Sequence, residues 1–150
     1  MANDASVTVQ ATVLPDEIAK VISGSLTVTP ADDDDKWYYK KTSVTNSSTD
    51  LIDDAAKYIE YTARADDALT TVAAGDKVKF LMVKNTDTTN DVYIVADDGA
   101  AATSAVDAIK VAAGQICCVS LPNTVVSSLH AITSSGTVTC IVAALLEDVA

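Results

Sequence analysis

The sequence predicts an all-β protein, a β-sandwich of jelly-roll type with an extended N-terminal arm. Between Val78 and Leu146, short apolar runs alternate with turns of Asn, Asp, Gly, Pro and Ser, as strands of a sandwich do. Apolar residues make up 49% of the chain and aromatic residues 5%, so branched aliphatic side chains must fill the core. An alternation of strands with long helices is absent from the sequence, which excludes a doubly wound fold.

The N-terminal region reads as extended chain. Residues 1–30 contain two β-like runs, SVTVQATVL and SGSLTVTP. Between them, Pro15, Asp16 and Glu17 have the composition of a first helical turn, and Pro30 ends the segment. We therefore predict an N-terminal arm or first strands over residues 1–30 and a β-sandwich domain over residues 31–150.

A run of acidic residues follows, with the sequence ADDDDK at residues 31–36. Four successive carboxylates repel one another unless they are solvated or bind a cation. The segment has neither the ligand spacing of an EF-hand nor its turn glycine. We expect an exposed loop, and calcium binding at Asp32 to Asp35 is the alternative.

The segment WYYKKTSVT is predicted to be a strand that carries three aromatic residues. Trp37 and Tyr39 would share one face, and Tyr38 and Lys40 the other. These aromatic side chains either anchor the core or contact a partner, for example by stacking on a sugar. Beyond the loop NSSTDLIDD, AAKYIEYTARA reads as a strand, with a short helix from Asp53 to Ile59 as the competing interpretation.

The following strands are joined by turns that suggest hairpins. Val78, Phe80 and Met82 are predicted to share one face of their strand, and Lys79, Leu81 and Val83 the other. The turn cluster KNTDTTND would make residues 78–96 a β-hairpin, and SSG would form the turn of a C-terminal one. AVDAIKVAAG supplies either a short edge strand or one helical turn.

The end of the chain, CIVAALL, is apolar on both faces of a strand. Two-sided burial suggests either a central strand or a subunit interface near a symmetry axis, where small alanines allow close packing. The candidate interface residues are Cys140, Val142, Ala143, Ala144 and Leu145.

The cysteines, the histidine and the paired aspartates give little indication of a metal site or a catalytic nucleophile. The three cysteines, Cys117, Cys118 and Cys140, read as free thiols, and adjacent residues of a strand point to opposite faces. A pairing of Cys140 with either neighbour stays open. His130 is the single histidine and is expected at an outward strand position. Catalysis by paired carboxylates needs two side chains that converge in a cleft, whereas the paired aspartates here are adjacent in the sequence. The sequence contains neither a phosphate-binding loop nor a serine nucleophile elbow. We therefore do not expect an enzyme.

The charge and hydropathy of the chain exclude several partner classes. The formal net charge of −11 repels nucleic-acid phosphates. The chain contains no run of the roughly 18 apolar residues that a membrane span requires. Its N-terminus, MANDASVTVQ, lacks the basic and apolar regions of a signal peptide, so we expect synthesis in a cytoplasm.

Three stretches of the C-terminal half resemble small structural proteins of tailed bacteriophages. They are FLMVKNTDTTNDVYIVADDG, IKVAAGQICCVSLPN and LHAITSSGTVTCIVAALLED. The shared pattern is a strand that ends in KNT, a V-x-I strand, an Ala-Gly turn before the next strand, and a hairpin around SSGT. The resemblance covers residues 76–148, about half of the chain.

This resemblance implies a virion component, either a capsid decoration (cement) protein or a head–tail or tail-associated protein. Such proteins are commonly trimers of jelly-roll-like or β-sandwich subunits, and no catalytic residue or cofactor is carried over. The expected protein is a homotrimer on the capsid surface, made in the host cytoplasm, with the major capsid protein as its partner. The alternative is a tail- or fibre-associated module that binds a carbohydrate or receptor through Trp37, Tyr38 and Tyr39.

Overall fold

A computed structural model of the protein describes residues 4–13, 20–32, 34–54, 71–97 and 99–149. The chain forms two compact units, Met1–Asp33 and Asp34–Ala150. Every strand pair in the two units is antiparallel. The helical structure of the described residues consists of one short 3-10 turn, Val126–Ser128. The all-β prediction is therefore confirmed.

The first unit is a two-stranded ribbon. Strand β1 (Ala5–Val13) pairs along its whole length with β2 (Lys20–Val28). Both predicted β-like runs are confirmed as strands, and β2 begins three residues before the predicted SGSLTVTP. The predicted helical turn at Pro15, Asp16 and Glu17 lies outside the described residues.

The second unit is a β-sandwich of two four-stranded sheets. Its strands are β3 (Asp35–Val44), β4 (Thr49–Asp50), β5 (Lys77–Asn85), β6 (Val92–Ala96), β7 (Ile109–Val111), β8 (Ile116–Val125), β9 (Leu129–Thr133) and β10 (Val138–Glu147). Sheet 1 has the order β3-β10-β5-β8, and sheet 2 has the order β4-β9-β6-β7. AVDAIKVAAG therefore supplies an edge strand, β7, and not a helical turn.

The strands of the sandwich pair in a nested order. The first strand, β3, pairs with the last, β10, and β4 pairs with β9. Further in, β5 pairs with β8 and β6 pairs with β7. Since β3/β10 and β5/β8 belong to sheet 1 while β4/β9 and β6/β7 belong to sheet 2, each strand is followed by one in the other sheet, except that β6 is followed by its neighbour β7.

The core lies between the two sheets and is aliphatic, as the composition predicts. Both sheets contribute fully buried side chains to one continuous cluster. Sheet 1 provides alternate residues of β10, and sheet 2 provides inward residues of β6, β7 and β9: Val138, Cys140, Val142, Ala144, Leu146, Val92, Ile94, Val111, Leu129 and Ala131. The two sheets are therefore held together by burial of branched and small apolar side chains.

The two predicted C-terminal hairpins are wrong. The turn after β5 leads to β6 in the other sheet, and the turn at SSG leads from β9 in sheet 2 to β10 in sheet 1. Both segments are turns, and Gly136 has the positive φ of 65° that suits a glycine. The turn residues therefore form turns as predicted, but the turns cross between sheets instead of joining neighbouring strands.

The predicted faces of β5 are correct for Phe80 with Met82 and for Leu81 with Val83, but Val78 lies on the opposite face from the one predicted, because β5 contains a bulge. Val78 and Phe80 have register partners on β8 and β10, whereas Lys79 between them has none. This extra residue reverses the alternation. Val78, like Leu81 and Val83 beyond the bulge, belongs to the core cluster, while Phe80 lies outside it.

The predicted acidic loop is shorter than expected. Asp32 and Asp34 are exposed, but Asp35 is already the first residue of β3 and is only 8% exposed. Asp35 is buried because it binds a lysine of β5, so it does not belong to a solvated loop. Asp33 and the segment from residue 55 to 70, which includes most of the predicted strand or helix around Ile59, lie outside the described residues.

Candidate functional site

The ribbon β1–β2 has one apolar and one polar face. Residues that are directly opposite in an antiparallel pair share a face. The register pairs Val7 with Leu26 and Ala11 with Ile22, and Val9 lies between them opposite Gly24. The other face carries mainly hydroxyl and amide side chains, together with the valine Val21, which is 59% exposed: Ser6, Thr8, Gln10, Thr12, Val21, Ser23, Ser25 and Thr27. We call the first of these the apolar face of the ribbon.

This apolar face has little cover. Val9 is 59% exposed, Ile22 is 63% exposed and Leu26 is 42% exposed. A two-stranded ribbon is at best marginally stable in water unless its apolar face packs against something else. In the ribbon, the main chains of β1 and β2 are paired along their whole length, but the apolar side chains have little to pack against. This combination is typical of an element that docks onto a partner.

The outer face of sheet 1, opposite the core, is arranged in rows that cross all four strands. One row contains Trp37, Leu145, Phe80 and Ser120, and the next contains Tyr39, Ala143, Met82 and Cys118. A third row contains Lys41, Ile141, Lys84 and Ile116. This face is thus largely apolar as well, which explains why β5 and β10 are apolar on both sides.

The row that begins with Trp37 is closed. The rings of Trp37 and Phe80 meet edge to face, with centroids 6.4 Å apart and planes at 79°. Phe80 and Leu145 are each 2% exposed. These residues therefore form a small apolar cluster on the outer side of sheet 1, in which Phe80 and Leu145 are buried and Trp37 is half-buried.

The other two rows are more open. Tyr39 is 41% exposed and Ile116 is 56% exposed, and Ile141, Ala143, Met82 and Cys118 are half-buried. Lys41 and Lys84 are exposed at the two sides of Ile141, and no carboxylate of the described residues forms an ion pair with them. We call these eight residues the open rows of sheet 1.

At the far end of the outer face, charged residues are tightly paired. Lys79 Nζ lies 2.7 Å from Asp35 Oδ1 and 3.0 Å from Glu147 Oε2, and Lys36 is paired with Asp148. The hydrogen bond to Asp35 is the main reason why the pKa of Lys79 is raised above its usual 10.5. This cluster is self-contained, because its lysines are already neutralised within the sandwich.

A shallow pocket of about 320 Å³ lies between β3 and the segment around β4. Its described lining is hydroxyl and charged: Lys40, Lys41, Thr42, Ser43, Thr49, Asp50 and Asp53. Lys40 and Asp53 are 3.5 Å apart across it. Binding pockets for small molecules are usually lined mostly by apolar groups. This pocket has no aromatic side chain in its described lining on which a sugar would stack.

The structure corrects most of the interface residues that the sequence suggested. Cys140, Val142 and Ala144 point into the core and are fully buried within one chain. They are buried because β10 is a central strand, with β3 on one side and β5 on the other. Ala143 and Leu145 point to the outer face, where Leu145 is closed off by the aromatic cluster and Ala143 belongs to the open rows.

The three aromatic residues of β3 do not form one platform. Tyr38 is fully buried in the core, while Trp37 and Tyr39 lie on the outer face, as the alternation predicts. Trp37 packs on Phe80, and Tyr39 alone is well exposed. A partner can therefore reach Tyr39 but not Tyr38, which weakens the carbohydrate-binding alternative.

The cysteines and the histidine have structural positions. All three cysteines are free, with Cys117 against the core and Cys118 on the outer face. Burial raises the pKa of Cys140 to about 11, so this thiol is not poised for reaction. His130 points outward as expected, and its Nδ1 lies 3.2 Å from Asp50 Oδ1.

Sequence reasoning missed two buried polar residues. Asn85 donates through Nδ2 to the carbonyls of Asn90 (2.8 Å) and Val111 (3.2 Å), and its Oδ1 accepts from the N–H of Asp87 (2.9 Å). Asp76 accepts from the N–H groups of Ala73 (2.8 Å) and Val149 (3.1 Å). Their position next to turns is the one available signal. Both hold loops in place.

The part of the chain that the structure describes contains no group of three or more His, Cys, Asp or Glu side chains arranged to hold a metal ion. Among the same residues, no helix has the length and apolar character to cross a membrane. Among the described strands, the apolar face of the ribbon and the open rows of sheet 1 both leave apolar side chains exposed.

Comparison with known proteins gives no relative for this arrangement. No family model, no curated protein and no solved structure matches the chain.

Proposed function

We propose that this chain is a structural virion protein that decorates and stabilises a bacteriophage capsid as a homotrimer. The observation that carries the proposal is the apolar face of the ribbon, with Val9 and Ile22 more than half exposed. The sandwich has its own core, whereas the ribbon does not. The resemblance of residues 76–148 to phage structural proteins supports the choice of a capsid as the partner.

The strand order supports a jelly roll as the sandwich type. A jelly roll has eight antiparallel strands in two sheets, built from two Greek keys. Folding a long hairpin of eight strands over on itself pairs the first strand with the last and each following strand with its counterpart. The pairs β3/β10, β4/β9, β5/β8 and β6/β7 have this nesting. We infer that the scaffold is of jelly-roll type, as the family resemblance implies.

In this proposal the ribbon is the arm that docks onto the shell. The two strands of the ribbon carry one charged residue, Lys20, which belongs to the last residue pair next to the connection between β1 and β2. The centre of the apolar face is therefore uncharged. An apolar groove on the assembled shell is the chemistry that this face fits. Burial contributes roughly 25 cal/mol for each Å² of apolar surface. The binding free energy of one arm is modest, but several arms that are linked in one oligomer and bind at the same time bind much more tightly together.

The acidic surface of the chain fits the same role. The formal net charge is −11, and decorated particles that carry many such copies repel one another in solution. This charge also disfavours contact with the packaged nucleic acid. The proposed location is therefore the outside of the capsid.

The test is co-sedimentation of the full chain with empty heads assembled from the major capsid protein encoded in the same genome. The variant Ile22→Asp places a charge in the apolar face of the ribbon, and Ser23→Asp places the same charge on the polar face of the same strand. We expect saturable binding of the wild-type chain and of Ser23→Asp, and loss of binding for Ile22→Asp. The bound chain should also raise the temperature at which the heads come apart.

Two results would overturn this function. The first is a wild-type chain that stays in the supernatant at every concentration of heads. The second is equal binding of Ile22→Asp and Ser23→Asp, which would show that the ribbon is not the docking element. Light scattering tests the trimer separately, since a trimer has a mass near three times 15.5 kDa.

A further inference from the structure

The open rows of sheet 1 form a second surface that a partner can reach. They combine apolar side chains with two unneutralised lysines, Lys41 and Lys84. Strands lie about 4.8 Å apart and rise about 3.4 Å per residue, so two rows across four strands cover on the order of 300 Å². Exposed patches of this size on soluble proteins are often functional.

The distribution of charge indicates what the partner is. Six of the ten basic residues of the chain lie on β3 and β5, namely Lys36, Lys40, Lys41, Lys77, Lys79 and Lys84. These two strands carry one acidic residue, Asp35. The rest of the chain therefore contains four basic residues and twenty of the twenty-one acidic ones. A second copy thus offers the open rows a surface of opposite charge.

The same distribution sets the type of contact. A two-fold, face-to-face contact would put the lysines of both copies on the same interface and leave the acidic surfaces in solvent. A head-to-tail contact instead places Lys41 and Lys84 of one copy against an acidic surface of the next. Complementary charge favours this second arrangement, and head-to-tail contacts can close into a ring.

We infer that the open rows of sheet 1 bind the acidic surface of a second copy of this chain in a head-to-tail contact. Tyr39, Met82 and Ile141 provide the apolar centre of the contact, and Lys41 and Lys84 provide its charge. The inference deepens the proposed function and rests on its claim that copies associate. A patch of this size is smaller than the roughly 800 Å² per partner of a standard interface, so the association depends on concentration.

The experiment measures the mass of the purified full chain by sedimentation over a concentration series. The double variant Lys41→Glu with Lys84→Glu reverses the charge of the open rows. The control Lys20→Glu with Ser23→Asp and Ser25→Asp makes the same change in net charge at exposed positions of the ribbon. Thermal unfolding of all three proteins establishes that each is folded.

We expect the mass of the wild type and the control to rise above 15.5 kDa with concentration, and that of the double variant to stay there. The rise should weaken with added salt, which screens the lysines. Alkylation of Cys118, which lies in the open rows, should slow as the wild type associates. It should not slow in the double variant.

A wild-type chain that keeps the monomer mass at every concentration would overturn the inference, as would a double variant that associates like the wild type. This failure is distinct from failure of the capsid proposal. A monomer that still sediments with heads through its ribbon would refute the head-to-tail contact and leave decoration standing. Self-association without binding to heads would support the contact and refute decoration.

Discussion

Lys79 and Asp35 form an ion pair of 2.7 Å across two strands that are not neighbours, because β10 lies between β3 and β5. Lys79 also lies 3.0 Å from Glu147 on that middle strand, and Glu147 is directly opposite Asp35 in the register. Like charges directly opposite in a sheet destabilise it. Lys79 offsets this repulsion, and as the bulge residue of β5 it is free of the regular register.

Replacing this lysine should destabilise the sandwich. Lys79→Met removes the ammonium group that lies 2.7 Å from Asp35, whose side chain is 1% exposed. Loss of a hydrogen-bonding partner of a buried charged group costs about 1–3 kcal/mol or more. Lys84→Met, on the same strand and exposed, should change the free energy of unfolding by less than about 0.5 kcal/mol. Urea unfolding compares the two, and equal effects would refute the role of the ion pair.

The raised pKa of Lys79 also predicts a pH dependence. A lysine whose pKa is higher in the folded state stabilises that state below its ordinary value of 10.5. This contribution is lost as the pH rises through the folded pKa. When the pH is raised from neutral to above 10.5, the free energy of unfolding of the wild-type chain should therefore fall more than that of the Lys79→Met variant. Parallel curves for the two proteins, measured by thermal unfolding, would contradict the linkage.

Acid should weaken the loop between β5 and β6. Backbone hydrogen bonds from Asn90 and Thr89 lower the pKa of Asp87, and the hydrogen bond from Lys110 lowers that of Asp91. A depressed carboxyl pKa stabilises the fold above the ordinary value of 3.8 and loses this effect as the pH falls below it. Asp87→Asn should flatten the decline of stability below 3.8. A decline as steep as that of the wild type would contradict this assignment.

The outer aromatic cluster gives a third pair of variants. Trp37→Ala removes the ring that packs on Phe80, and we expect a loss of about 2–3 kcal/mol, below the range for fully buried aromatics. Tyr39→Ala, two residues away on the same face, removes a side chain that is 41% exposed and should cost less than about 1 kcal/mol. If denaturant unfolding gives the reverse order, Tyr39 and not Trp37 anchors this face.

Asn85 should matter more than any exposed asparagine. Asn85→Ala removes two donated hydrogen bonds and one accepted bond, and leaves the buried carbonyl of Val111 without this donor. We expect a loss of at least about 2 kcal/mol in the free energy of unfolding. Asn46→Ala, an exposed bend residue after β3, is the control and should be nearly neutral. Equal losses would show that the hydrogen bonds of Asn85 contribute little.

The sequence predicted the strands better than their partners. Period-two alternation and turn residues are local, so they located β1, β2, β3 and most of β5 to β10. Strand pairing in this sandwich is not local, since β3 pairs with β10 at the far end of the chain. A turn such as SSG shows that the chain reverses but not which sheet it enters next. The hairpin predictions failed for that reason.

The candidate surfaces were predictable in part. The two-sided apolar character of CIVAALL indicated something beyond a one-sided strand, and the structure divides it into core residues such as Val142 and outer residues such as Ala143. Sequence alternation alone does not tell which set faces the core. The bulge at Lys79 was invisible as well, because an inserted register position depends on the partner strands. Neither Asn85 nor Asp76 carries a sequence signal of burial beyond its place beside a turn.

The most direct test of the account is amide hydrogen exchange of β1 and β2 in the free chain and in the chain bound to empty heads. A ribbon with an uncovered apolar face should exchange quickly when free, because little packing opposes its opening. We predict strong protection of both strands on heads, with the exchange of central strands such as β10 unchanged. Equal exchange of β1 and β2 in the free and bound chain would contradict the claim that this ribbon docks the protein onto a capsid.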